Sequence, residues 1–263
     1  MIKARTPWQV TWRVWYALYI REAVARVVGE RFSWFWMLAE PIAFVLVMVW
    51  LRLFVMGMDR FLPNAEFIPW LIIGLLGFFL FRELMDRSVG AVAANKGLFA
   101  YRQVKPIDPV LIRCTLEGIL KTFILGIFIV GGLFLGLGMW GDDMITLTWA
   151  WLSIWALGLG IGLSVSALSG LVPEIGKVIK MLSLPLLLLS GVIIPLSFLP
   201  HNVVYYLMFN PIAHGLELLR QAFFDGYRVV PQTSWLYLWY WNLGSILLGL
   251  LLHLRFEGRL KAR

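Results

Sequence analysis

The sequence predicts an all-α integral membrane domain with six transmembrane helices. Apolar runs recur at the length a bilayer requires, and basic residues collect in alternate intervals between them. Composition agrees: hydrophobic residues make up 60% of the 263, charged residues only 14%, and mean hydropathy is +0.81. Soluble domains are about a quarter charged. The 14 Trp and 18 Phe fit the same class, because aromatic rings collect at membrane interfaces.

A hydrocarbon core of ~30 Å takes about twenty apolar residues as a helix. Residues 34–56 meet that length, and residues 67–81 fall short but continue helically toward Val92. Residues 122–139, 146–172, 181–199 and 235–254 supply the other spans. Pro185 predicts a kink in the fifth, a fault that neighbouring helices tolerate in membranes.

Ahead of the first span, Trp8, Trp12, Trp15, Tyr16 and Tyr19 recur at helical spacing, with Arg13 and Arg21 off that stripe. Residues 7–31 therefore predict an amphipathic helix lying in the interface plane, either as a membrane anchor or as a guide for substrate. Between the fifth and sixth spans, Asn210-Pro211 offers an N-cap and a proline at the first helical position. That helix closes at Asp225-Gly226 and is only ~21 Å long, too short to cross. With the apolar stretch 200–209 before it, the segment 197–226 reads as a re-entrant helical hairpin on the extracytoplasmic side. Backbone at such depth needs protein or water around it, which suggests a pore lining. No internal repeat is found, and six helices enclose little space, so a homodimer with a path at its interface is the economical assembly.

Orientation follows from the positive-inside rule. Lys3, Arg5, Arg13, Arg21, Arg26 and Arg31 share one side with Arg82, Arg87, Lys96, Arg102, Lys105 and Arg113. Lys177, Lys180, Arg255, Arg259, Lys261 and Arg263 join them there. The opposite side holds little beyond Arg60 and Arg228, so both termini are expected in the cytoplasm. The first 32 residues carry six Lys or Arg and no cleavable apolar core, so no signal peptide is expected. The net charge of +8 follows this asymmetry and does not call for a nucleic-acid partner. A single cysteine, Cys114, excludes an internal disulfide and argues against a thiolate metal site.

Catalytic chemistry is sparse. The nearest phosphate-loop candidate, Gly170 through Gly176-Lys177-Val178, is one residue too long, and Val178 lacks the hydroxyl that binds Mg²⁺. His201, His214 and His253 have no ligand-like spacing, and no metal site is expected. Arg113, Glu117 and Lys121 form an i, i+4, i+8 stripe. It reads either as a self-paired stem of the third helix or as a surface for another helix. Glu40, beside Pro41, is placed to cap, to pair with a basic neighbour or to line an entrance, and Glu217 and Arg220 at i, i+3 are expected to pair. Sugars present apolar C–H faces that stack on rings, a role open to Trp34, Trp36, Phe198, Tyr205 and Tyr206. Trp235, Tyr237, Trp239, Tyr240 and Trp241 form an interfacial belt.

The longest polar interruption, residues 87–108, is a basic loop suited to a docking surface, with a short helix expected before Pro106. Its Asn95, Gly97-Leu98-Phe99, Tyr101-Arg102 and Val104-Lys105-Pro106 resemble the coupling segment of capsular-polysaccharide export permeases, membrane subunits of a class of ABC exporters. Arg31-Phe-Ser-Trp-Phe-Trp36-Met-Leu-Ala-Glu40-Pro41 is similar to that family's first-helix approach, with Ser33 where relatives often have glycine. Ser190-Gly-Val-Ile-Ile-Pro195, Leu199-Pro200, and Asn210-Pro211 with His214, Glu217 and Arg220 through Gly226 resemble its fifth-helix exit and outer hairpin.

The resemblance implies a single permease domain over residues 1–263, resident in the bacterial inner membrane and active as a homodimer. Two copies of a cytoplasmic ABC ATPase would hold the ATP and Mg²⁺, and this chain would bind no cofactor. The substrate would be a lipid-linked acidic polysaccharide, passed to a periplasmic co-polymerase-type adaptor and an outer-membrane export channel.

The same resemblance gives roles to particular residues. Coupling falls to a helix over 93–106 bearing Asn95, Gly97, Leu98, Phe99, Tyr101, Arg102, Lys105 and Pro106. Read from the residues themselves, Arg21, Arg26 and Arg31 suit either a linker phosphate or acidic sugar, which guanidinium binds bidentately, or attraction to anionic lipid headgroups, and Trp34, Trp36 and Glu40 join them as linker candidates. The channel exit takes Phe198, His201, Tyr205, Tyr206, His214, Glu217 and Arg220, with His201 and His214 otherwise read as simply hydrogen-bonded histidines. ATP closure would push on residues 97–102 and part the first and fifth helices. Aspartate at both Phe99 and Tyr101 is expected to stop export while dimerisation persists. The alternatives are a drug or lipid exporter of the same class and a membrane-embedded glycosyl or acyl transferase. The second would need a catalytic constellation, and the only adjacent acidic pair is Asp142-Asp143.

Overall fold

The computed structural model of the chain describes residues 6–27, 33–51 and 65–262. Its regular elements there are all helices: α1 (Pro7–Val27), α2 (Ser33–Leu51), α3 (Phe67–Val89), α4 (Ala91–Ala94), α5 (Asp108–Phe134) and α6 (Met144–Leu171). After these come α7 (Pro173–Leu189), α8 (His201–Leu207), α9 (Pro211–Phe223), α10 (Trp235–Arg255) and α11 (Glu257–Ala262). Single 3₁₀ turns occupy Lys96–Ala100 and Leu196–Phe198.

α3 is the hub. Trp70, Leu71, Ile73, Phe78 and Leu80 have no accessible surface, because α2, α5, α6, α7 and α9 surround the helix. A helix apolar all round belongs at the centre of a bundle. α10 lies at the periphery and packs chiefly on α6. Its outer face, Leu236, Tyr240, Leu243, Leu247, Leu251 and Leu254, is exposed. Small residues bring the two backbones together, the means by which helices associate in lipid. A methyl at Gly160 would overlap Ser245 Oγ and sit 2.8 Å from the Ile246 backbone nitrogen, and one at Gly249 would overlap Leu163. Gly160→Ala is therefore expected to cost about 1–3 kcal/mol by overpacking, read as a lower Tm of the purified protein.

Four of these helices, α3, α5, α6 and α10, are long and apolar enough to cross a membrane. The described part of the expected first span is shorter, an apolar stretch Phe35–Leu51, and its remainder at 52–56 lies outside the described residues. The fifth differs from expectation. α7 begins at Pro173, runs through Pro185 and ends at Leu189, ten residues before the predicted end at 199. Gly191 adopts φ +69, a left-handed conformation that halts the helix. The third predicted span also shifts: α5 starts at Asp108, fourteen residues before the predicted 122. Its charged first half stays helical because other helices supply partners.

The cap expected at Asn210 forms, and Asp143 supplies one that was not expected. Asn210 accepts from the Ile212 N–H at 3.2 Å. Asp143 accepts from the Ile145 and Thr146 N–H groups at 3.1 and 3.0 Å and from the Thr146 hydroxyl at 2.6 Å. These bonds, led by the Thr146 hydroxyl, hold the Asp143 carboxyl below the usual carboxylate range. The one adjacent acidic pair thus contains a helix cap.

Candidate functional site

Two clusters of polar side chains stand at opposite ends of the bundle. At the basic end, α1 lies along α5. Its rings divide between two environments: Trp8, Trp12 and Tyr16 are exposed, in line with Ile20 and Val24, while Trp15 and Tyr19 are half-buried. The aromatic stripe read from the sequence is therefore split. One edge is an apolar i, i+4 row, and Trp15 on the other side has a polar task. Its indole Nε1 donates to Asp108 Oδ1 at 2.9 Å, and Asp108 Oδ2 accepts from the Lys105 N–H at 2.8 Å. Six residues further along α1, the Arg21 guanidinium donates to Asn95 Oδ1, while Asn95 Nδ2 donates to the Ala91 carbonyl at 2.8 Å.

α1 thus holds both ends of the 95–108 segment. That segment is not the single helix expected over 93–106: α4 ends at Ala94, a 3₁₀ turn spans Lys96–Ala100, and turns follow to Ile107. Phe99 is only 7% exposed and folds inward, whereas Tyr101 is 67% exposed. Gly97, Arg102 and Lys105 are exposed, Leu98 is half-buried, and Asn95 and Pro106 are buried. Trp15→Phe removes the donor to Asp108. The expected result is amide exchange over residues 101–108 about tenfold faster, measured by mass spectrometry, with α6 and α10 unchanged.

Beneath this segment an ionic network ties α1, α2, α3 and α5 together. Arg26 Nε lies 2.9 Å from Glu117 Oε1, and Arg87 Nε lies 3.5 Å from the same oxygen. Glu83 accepts from Arg87 at 3.4 Å and stands 3.9 Å from both Arg82 and Lys121. Arg82 bonds Glu40 and lies over the Phe79 ring at 4.4 Å. Arg113 pairs with Glu22 at 2.6 Å. The Arg113, Glu117, Lys121 stripe is therefore a surface for other helices, and the self-paired stem is set aside. Sequence spacing gave no sign of the Glu83 hub. Its only local signal is the i, i+4 relation to Arg87.

Several of the expected linker residues take part in such contacts, Glu40 in the pairing with a basic neighbour that its position suggested. Arg21 and Arg26 are engaged by Asn95 and Glu117, and Glu40 by Arg82, so these groups brace the fold. Trp36 remains 66% exposed. Arg31 and the Trp34 side chain lie outside the described residues.

At the opposite end, the hairpin residues separate into two groups. Tyr205, Tyr206 and His201 are exposed, and Phe198 is half-buried against the core. His214, Glu217 and Arg220, expected at an exit, are buried within the chain instead. His214 Nδ1 accepts from the Ser234 N–H at 3.0 Å, so its Nε2–H donates to the Met208 carbonyl at 2.7 Å. Glu217 and Arg220 pair as expected, at 3.3 Å. α9 turns that face inward because Leu216, Leu219 and Phe223 share it. Among the described residues, no three His, Cys, Asp or Glu stand close enough together to hold a metal ion.

Comparison with known proteins places this geometry. The sequence model of the ABC-2 type transporter family matches residues 13–224. Polysialic acid transport protein KpsM of Escherichia coli is 36% identical over 239 residues, covering 90% of this chain and 91% of that protein. Capsule polysaccharide export inner-membrane protein BexB of Haemophilus influenzae is 29% identical over 253 residues, with 93% and 91% covered. Capsule polysaccharide export inner-membrane protein CtrC of Neisseria meningitidis serogroup B is 28% identical over 254 residues, with the same coverage.

Proposed function

Because the chain belongs to the ABC-2 type transporter family, we propose that it is the inner-membrane permease of an ATP-driven exporter of capsular polysaccharide. The observation that carries this reading is its end-to-end likeness to polysialic acid and capsule polysaccharide transport proteins. It is not an enzyme; hydrolysis belongs to a separate ATPase subunit, which holds ATP and Mg²⁺. Six spans with both termini in the cytoplasm fit the basic asymmetry. α2 and α7 are then the first and fifth spans, and residues 197–226 are the outer re-entrant hairpin.

The exposed residues of the 95–108 segment, Tyr101 and Arg102 foremost, meet the ATPase. Its movement passes through Asp108 and Asn95 to α1, and through the Glu117–Glu83 network to α2, α3 and α5. A homodimer suits helices that pack on their own chain along only part of their circumference. α2 exposes Leu46, Val47 and Trp50, and α7 exposes Met181, Leu184 and Leu188. Lipid-linked polysaccharide passes between the protomers, by Trp36 at one end and by His201, Tyr205 and Tyr206 at the other. Transfer to a periplasmic adaptor and an outer-membrane channel completes the route.

Deleting this permease from its own cell tests the reading. Lipid-linked polysaccharide should accumulate inside, and re-expression of the chain should return it to the surface. Normal surface polysaccharide after deletion would overturn the proposal.

A further inference from the structure

The most deeply buried charge in the described molecule is Arg220, which is 0% exposed and lies over the face of Trp70 at 3.6 Å. An ionisable group at such depth is costly and calls for a purpose. Its salt bridge to Glu217 accounts for only part of its bonding. Nη1 also donates to the Gly191 carbonyl at 2.9 Å, and Nη2 donates to the Val192 carbonyl at 3.2 Å. Those carbonyls belong to the break after α7, where the chain leaves helical geometry through the left-handed Gly191. The last carbonyls of a helix and the turn beyond it have no helical donors, and water is scarce inside the bundle. Arg220 supplies those donors from another helix.

The surroundings are arranged for this contact. Gly74 faces the guanidinium, and a methyl there would overlap it. Tyr227 donates its hydroxyl to Glu217 at 3.2 Å and accepts from Trp70 Nε1 at 3.2 Å, fixing the carboxylate that faces Arg220. A second tie runs parallel: Asn210, the cap of α9, donates from Nδ2 to Ser190 Oγ at 2.9 Å. The end of α7 is thus bonded to both ends of α9, through Asn210 and Arg220, but joined to α9 in sequence only by residues 190–210.

We propose that Arg220 is a positioning residue that locks the break at Gly191-Val192 to α9, so that the outer end of α7 and the hairpin move as one body during export. This rests on the permease reading for its consequence, though not for its geometry. The bidentate grip on two successive carbonyls is the working part, and Glu217 serves to hold the guanidinium in place. A lysine keeps the charge but cannot span both carbonyls in one plane.

The test compares Arg220→Lys, Glu217→Gln and the neutral pair Glu217→Gln with Arg220→Met. The pair removes both charges together and so leaves no unpaired ion in the core. Two quantities are read: amide exchange over residues 189–196 of the purified permease, and the ratio of glycan export to ATP hydrolysis in the complex with its ATPase. Arg220→Lys and the neutral pair should each speed exchange over 189–196 by about tenfold, with α6 and α10 unchanged. Both should also export at least about tenfold less per ATP hydrolysed, because loss of the lock separates motion from turnover. Glu217→Gln leaves the buried guanidinium without its counter-charge and should lower the Tm, but because both carbonyl contacts are kept, the ratio of export to hydrolysis should stay within about twofold.

Wild-type exchange and export ratio in the neutral pair would overturn the proposal. So would Glu217→Gln behaving as Arg220→Lys does, since the ion pair rather than the carbonyl grip would then be the working part. If the wild-type complex moves no glycan, the permease reading fails on its own account, and the exchange measurement still decides whether Arg220 holds the break.

Discussion

Replacing Tyr101 with Asp is expected to abolish export while the permease remains folded and in the membrane. The ring is 67% exposed at the end of the 3₁₀ turn, so the chain loses little of its own packing. An aromatic anchor at a protein interface is commonly worth about 2 kcal/mol or more, and a carboxylate in its place adds a desolvation cost. Association with the ATPase should weaken at least about thirtyfold. Arg102→Glu should act in the same direction. Phe99→Asp, its partner in the pair suggested by sequence, behaves differently, because Phe99 is folded under the segment and a buried carboxylate there disrupts the segment itself. Tyr101→Asp with undiminished ATPase binding and export would refute the docking assignment.

Glu117→Ala has the largest expected effect on stability. The carboxylate is 3% exposed and stands between Arg26 of α1 and Arg87 of α3. Its removal takes the carboxylate from between Arg26 and Arg87 and leaves Glu83 to offset Arg87, and breaking a buried pair from one side costs about 3–5 kcal/mol. Detergent-purified Glu117→Ala should show a strongly lowered Tm, with α1 released first and detected as protease cleavage within residues 7–27. Adding Arg26→Met should recover part of the loss, giving a coupling energy of about 1–3 kcal/mol in a double-mutant cycle. A Tm unchanged by Glu117→Ala would show that the network contributes nothing to holding α1.

The helical class, the cap at Asn210 and the Glu217–Arg220 pair were legible in the sequence because each rests on local spacing. The 146–172 and 235–254 spans agree with α6 and α10 to within two residues at either end. What spacing does not carry is rotation and partnership. Phe99 and Tyr101 read alike as rings in a basic loop, yet turns after Asn95 send one inward and the other out. Arg21 and Arg26 read as free guanidinium groups because Asn95 and Glu117 are 74 and 91 residues away in sequence. Hydropathy placed the start of α5 too late, since a window cannot know that Arg113, Glu117 and Lys121 will find partners on other helices. The break at Gly191 was missed because Ile193 and Ile194 keep the segment apolar past the point where the helix ends.

The central claim is that this chain couples a separate ATPase to the movement of polysaccharide. The most direct test reconstitutes the permease with its ATPase in vesicles and measures ATP hydrolysis with and without lipid-linked capsular polysaccharide. The account predicts a stable complex whose hydrolysis rises with the glycan and which carries the glycan across the bilayer, with Tyr101→Asp silent on both counts. Hydrolysis indifferent to the glycan, with no glycan crossing the bilayer, would contradict it.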